Sequence, residues 1–64
     1  METIQIEIRQ QNENCQLYNL YVGYDNKPIQ LHSMALSFEE AENLGFRVIQ
    51  MNPKLIPQII IDKY

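Results

Sequence analysis

His32, Cys15 and a handful of carboxylates are the side chains of this sequence whose types could carry chemistry, and His32 and Cys15 are the only histidine and cysteine. A general base needs a substrate proton or a nucleophile within reach, and usually a third group to orient it. Cys15 and Asp25 would have to supply those parts through the fold, because no local signature ties either to His32. His32 therefore reads as a solvated strand-end histidine. Lowering the pKa of Cys15 would take a helix N-terminus or nearby cations, and the sequence puts neither beside it. It reads as a small packing residue or an inert thiol. A structural zinc site almost always needs four ligands, beyond what these two residues supply. No metal or cofactor is expected, and the chain reads as non-enzymatic.

Glu39, Glu40 and Glu42 form an acidic cluster that could dock on a basic partner. First-turn dipole and capping chemistry on a helix explains most of it without a partner. As paired catalytic carboxylates they fit poorly, since neighbours on a helix surface do not flank a cleft. The tyrosines point elsewhere. Tyr18 and Tyr24 suit pleated positions facing a core. Tyr21 and Tyr64 fall on the opposite face or at the chain end, where an apolar ring with a wet hydroxyl suits an interface.

The elements that position these residues are legible from periodicity. Thr3–Arg9 alternates, with Ile4, Ile6 and Ile8 on one face and Thr3, Gln5, Glu7 and Arg9 on the other, the pattern of a half-buried strand. Gln10–Asn14 is a polar turn. A second strand spans Cys15–Tyr24, with Leu17 and Tyr21 apolar on the face away from the core. Asp25-Asn26-Lys27-Pro28 is a turn, and Ile29–His32 a short third strand of an antiparallel meander. Ser37 and Glu40 form a capping box at the start of a two-turn helix, with Phe38, Ala41 and Leu44 as its packed stripe and Gly45 as its stop. Phe46–Met51 reads as a fourth strand and Leu55–Asp62 as a fifth, in which Pro57 marks an edge, a bulge or the true start of the strand. The sum is one domain over residues 1–64, of α+β class. A small antiparallel sheet in the order β-β-β-α-β-β carries one short helix packed on one face.

Size and charge narrow the function. A chain of 64 residues buries only about 60% of its unfolded surface, and such domains commonly lean on disulfides, metals or a partner. A lone cysteine leaves a partner as the aid that remains. Five basic residues scattered singly against eight acidic ones give a net charge of −3, so no patch neutralises adjacent phosphates or coats an anionic membrane. Neither nucleic acid nor membrane is an expected partner. The absence of a continuous apolar leader, together with the unpaired thiol, fits a cytoplasmic setting.

Ile59-Ile60-Ile61 is the feature that reaches beyond a self-contained fold. A strand without alternation needs apolar cover on both faces, either as the central strand of a tightly made sheet or against another chain, and a chain this small has few layers to give it. Leu17, Tyr21, Ile49, Met51, Ile59, Ile60, Ile61 and Tyr64 together make a surplus of apolar surface. Self-association as a homodimer is the expected use, with a hetero-partner that pairs with the tail strand as the second solution. An accessory, regulatory or inhibitory subunit fits that description. The alternative is a dimer that binds a small molecule in a cleft between subunits.

Overall fold

Alternation along Thr3–Gln10, strand β1, drives Ile4, Ile6 and Ile8 into the interior, where none is more than 2% exposed. Thr3, Gln5, Glu7 and Arg9 line the other face and are half-buried. The computed structural model describes residues 2–25 and 27–64. The chain reverses beyond Gln10 through a loop in which Asn14 takes a φ of 64°, a conformation asparagine tolerates better than most. Strand β2 (Tyr18–Tyr24) then pairs antiparallel with β1, setting Leu20 against Ile8 and Val22 against Ile6 on the core side.

A turn closed by the Lys27 N–H donating to the Tyr24 carbonyl at 3.0 Å leads on. Asn26, part of the turn expected at Asp25–Pro28, lies outside the described residues. Strand β3 (Gln30–Leu36) is longer than the Ile29–His32 segment anticipated, its pairing with β2 carrying on past register shifts around Leu20 to Tyr18 and Leu36. Ala35 adopts a φ of 56° there, and its N–H is taken by Asn19 Oδ1 at 3.2 Å.

Helix α1 (Phe38–Gln50) begins as its residue types dictate. Ser37 Oγ accepts from the Glu40 N–H at 3.1 Å, and Glu40 Oε1 accepts from the Ser37 N–H at 3.1 Å, a complete capping box. It does not end at Gly45. The helix runs on through Phe46–Gln50, the segment whose composition suggested a strand, and Met51 caps it in right-handed geometry. Val48 and Ile49 extend the stripe begun by Phe38, Ala41 and Leu44, and pack on the core. Gly45 is buried instead because α1 crosses β1 there: a Cβ on it would lie 3.0 Å from Ile6 Cγ2. The glycine serves close approach rather than termination.

The last strand, β4 (Ile56–Asp62), returns to the sheet beside β1 and parallel to it. The sheet order is β3-β2-β1-β4. The fold is therefore α+β with one helix on one face, as its patterning indicates. Its sheet holds four strands and is mixed rather than wholly antiparallel, in the order β-β-β-α-β. The parallel pair follows from the crossover: β3 and β4 run the same way, and the helix that joins them crosses over β2 and β1. With Cα extents of 37 × 20 × 14 Å, the described residues form two layers, the sheet and α1 on one of its faces.

Candidate functional site

The helix packs on β1, β2 and β3 and leaves β4 beyond its flank. Every residue of β4 is consequently exposed, with Ile56, Ile59, Ile60 and Ile61 between 41% and 47% accessible. The strand pairs with β1 in an unbroken register from Thr3–Ile56 to Arg9–Asp62. Its other side is a free edge.

Backbone geometry assigns the free groups along that edge. The N–H and C=O of one residue point to the same side of a strand, and alternate residues point oppositely. The Ile56 N–H donates to the Glu2 carbonyl at 3.0 Å, so Ile56, Gln58, Ile60 and Asp62 turn their backbone toward β1. Tyr64 keeps the same parity, its N–H donating to Gln10 Oε1 at 2.8 Å. Pro57, Ile59 and Ile61 turn theirs outward. Pro57 thus occupies a position where the β1 ladder asks for no donor, which is how a proline is accommodated inside this strand.

The side chains divide in the same way. Ile59 and Ile61 share the helix-side face with Ile6 and Ile8 of β1. There they border a groove of about 190 Å³, closed on the helix side by Glu42, Gly45 and Phe46. On the opposite face Ile60 lies beside Glu7, Glu7 beside Tyr21, and Tyr21 beside Leu31, one row across the whole sheet. Arg9 covers part of that row. Its guanidinium donates to Glu7 Oε2 at 2.7 Å and sits 4.4 Å from the centre of the Tyr21 ring.

Of the residues marked by their apolar surplus, Ile59, Ile60 and Ile61 meet on β4, and Tyr64 follows them, 78% exposed. Leu17 precedes β2 and is also exposed, whereas Tyr21 is half-buried under Arg9. Met51 is exposed at the C-cap of α1, near the start of β4 in the chain. Ile49 is spent inside the fold, packed against the core from the helix. The residue that sequence reasoning passed over is Phe46, which, read as helical, falls one turn beyond Glu42 and borders the groove. Its signal was present in the i, i+3, i+7, i+8 recurrence of Ala41, Leu44, Val48 and Ile49 across Gly45.

The two sheet edges are not equivalent. Proteins blunt exposed edges with bulges, charges or short strands. β3 carries register shifts, a left-handed Ala35 and the polar residues Gln30, His32 and Ser33. β4 has a regular register and no charged residue before Asp62. Pro57, which turns a backbone nitrogen without N–H outward, blunts only its start, so β4 is the less protected edge.

The titratable side chains are dispersed. Cys15 lies in the loop before β2 and Asp25 just beyond its far end, so the whole of that strand separates them. The Cys15 thiol sits 3.8 Å from Gln11 Oε1 and receives the Leu17 N–H at 3.4 Å. His32 contacts Ser33 Oγ through Nδ1 at 2.9 Å on exposed β3. Asp25 accepts from the Thr3 hydroxyl, and from its N–H at 2.9 Å, bonds that hold its carboxyl below the usual range. It clasps the end of β2 to the start of β1 and borders a depression with Glu2, Tyr24, Lys27, Asn52 and Leu55. Glu40 is likewise lowered, chiefly by the Ser37 N–H and then by its hydroxyl. Among the described residues, no three His, Cys, Asp or Glu side chains are grouped to hold a metal ion, and no helix is long and apolar enough to cross a membrane.

Set against protein-family models, curated proteins and solved structures, the chain matches none of them.

Proposed function

We propose that this protein is a non-catalytic interaction module that self-associates through β4 and acts as an accessory, regulatory or inhibitory subunit of a larger assembly. One observation carries the reading: the edge strand with the unbroken isoleucine run is exposed on both faces and paired on one side only. An edge of that kind, left open, templates aggregation. Pairing with a second chain removes the liability and supplies main-chain hydrogen bonds and apolar burial together. A cytoplasmic setting belongs to the proposal, supported by the free thiol of Cys15.

Light scattering coupled to gel filtration over a concentration series tests it. A dimer that dissociates in Ile60→Asp, with the helical and sheet circular dichroism unchanged, is the expected result. A folded monomer at every concentration overturns self-association.

The groove between α1 and β4 favours a second reading, a small apolar ligand held where two subunits meet. Alone it is smaller than the roughly 300–1,000 Å³ of usual ligand pockets, so a second copy would have to complete it. A ligand that raises the thermal midpoint of the dimer, with no effect on an Ile60→Asp monomer, would favour this reading by mass action.

A further inference from the structure

Resting on the self-association proposed above, we infer that the occupant of the free edge is β4 of a second copy, antiparallel, in the register that sets Ile60 against Ile60.

Only outward-facing residues can exchange hydrogen bonds across the new seam, and on β4 these are Pro57, Ile59 and Ile61, with Lys63 continuing the parity. Pro57 has an acceptor and no donor. A register centred on Ile59 sets each Pro57 opposite Ile61 of the second copy, so the Ile61 carbonyl faces a residue with no N–H to give. Moving the centre to Ile60 pairs each Ile59 with Ile61 of the second copy, and both residues then exchange both backbone groups. Pro57 shifts to face Lys63, where its carbonyl still accepts and its missing donor falls beyond the end of β4. A register centred on Ile61 keeps the hydrogen bonds but sets Asp62 beside Ile60.

The side chains choose the same register. Around Ile60, the outer face matches Ile60 with Ile60, Gln58 with Asp62 and Ile56 with Tyr64, apolar with apolar and amide with carboxylate. The helix-side face matches Ile59 with Ile61 in both directions. The segment Gln58–Asp62 is thus self-complementary under a two-fold axis normal to the sheet. That operation joins two four-stranded sheets into one of eight strands and puts both α1 helices on the same side. Ile59 and Ile61 of both copies become the floor of a trough walled by Phe46 and Glu42 from each. The competing occupant, a strand from a different protein, would meet the same donors without the two-fold match.

Cysteine pairing reads the register directly. In a Cys15→Ser background, Ile60→Cys puts two thiols in a non-hydrogen-bonded pair with Cα atoms about 4.5 Å apart, within disulfide reach. Ile59→Cys or Ile61→Cys alone would leave its copies beyond about 7 Å and unable to bridge, while a mixture of the two would cross-link. Mild oxidation is expected to link Ile60→Cys at least about tenfold faster than either single variant or an exposed His32→Cys control. Fastest linking by Ile59→Cys or by Ile61→Cys overturns the register. A dimer in scattering with no β4 cysteine linking above the control places the interface elsewhere and overturns the inference, while leaving self-association standing. A monomer in scattering removes both. Wild-type thermal melts of the reduced variants confirm that each is folded.

Discussion

Gly45 and Ile6 touch where α1 crosses β1, so closely that a methyl group on Gly45 would stand 3.0 Å from Ile6 Cγ2. Ile6 is 1% exposed and held among Ile4, Ile8 and Leu20, so it has little room to yield. Gly45→Ala gains about 1 kcal/mol in helix propensity. Overpacking of a close-packed core costs about 1–3 kcal/mol and outweighs that gain. Urea denaturation should show Gly45→Ala less stable than wild type by up to about 2 kcal/mol. Ile6→Leu removes the offending branch carbon, so the double variant should recover part of the loss, a coupling a double-mutant cycle reads out.

Two carboxylates make stability acid-sensitive in a defined direction. Asp25 and Glu40 both lie below their ordinary values of 3.8 and 4.5, through bonds from Thr3 and Ser37 respectively. Each contributes stability that is fully present above the unfolded value and lost as pH falls through the lower folded one. Thermal midpoints should therefore decline on acidification below those ordinary values. Asp25→Asn and Glu40→Gln should each flatten part of the decline, and a slope unchanged in the double variant would remove these two groups as its source. Ser37→Ala, which strips one half of the box, should cost about 1 kcal/mol at neutral pH and leave association untouched.

Backbone parity along β4 gives an exchange pattern that no side-chain substitution is needed to see. At concentrations where the protein is monomeric, the Ile59 and Ile61 amides face outward and should exchange fast, while those of Gln58 and Ile60 are held by β1. Raising the concentration should protect Ile59 and Ile61 selectively, with Ile60 little changed. Hydrogen exchange followed by NMR resolves the alternation residue by residue. Uniform protection of β4 at every concentration would contradict the outward assignment.

The parts of this fold that could be read from residue order are those governed by neighbours in the chain. Ile4, Ile6 and Ile8 announce a half-buried strand, Gln10–Asn14 a turn, and Ser37 with Glu40 a helix start, because each rests on local geometry. Gly45 misleads because glycine has two uses, left-handed stop and close approach, and only the position of Ile6 across the core decides between them. Once the helix is stopped there, Phe46–Gln50 is misassigned with it, and Phe46 drops out of the candidate surface. The parallel pairing of β4 with β1 joins residues more than fifty positions apart, as in Ile6 with Ile59. No local signal specifies such a pair. The isoleucine run does signal a strand in need of cover, but the edge position that withholds the cover is a property of sheet order alone.

Charge at Gln58 tests the seam with the fold left alone. Gln58 is exposed on the outer face beside Gln5, so a charged replacement has little to disturb within one copy. Across the inferred seam it faces Asp62 of the second copy, and the two-fold axis repeats the pair. Opposite charges directly across antiparallel strands contribute roughly 0.2–1 kcal/mol per pair. Gln58→Lys should therefore tighten association by about 2- to 30-fold over its two symmetric pairs, and Gln58→Glu should weaken it to a similar degree. Both effects should collapse near 1 M salt, where screening acts within about 3 Å. Sedimentation equilibrium of wild type and both variants at low and high salt measures the dissociation constants. Equal affinities for the lysine and glutamate variants at low salt would mean that Gln58 does not face Asp62, and the Ile60-centred register would be wrong.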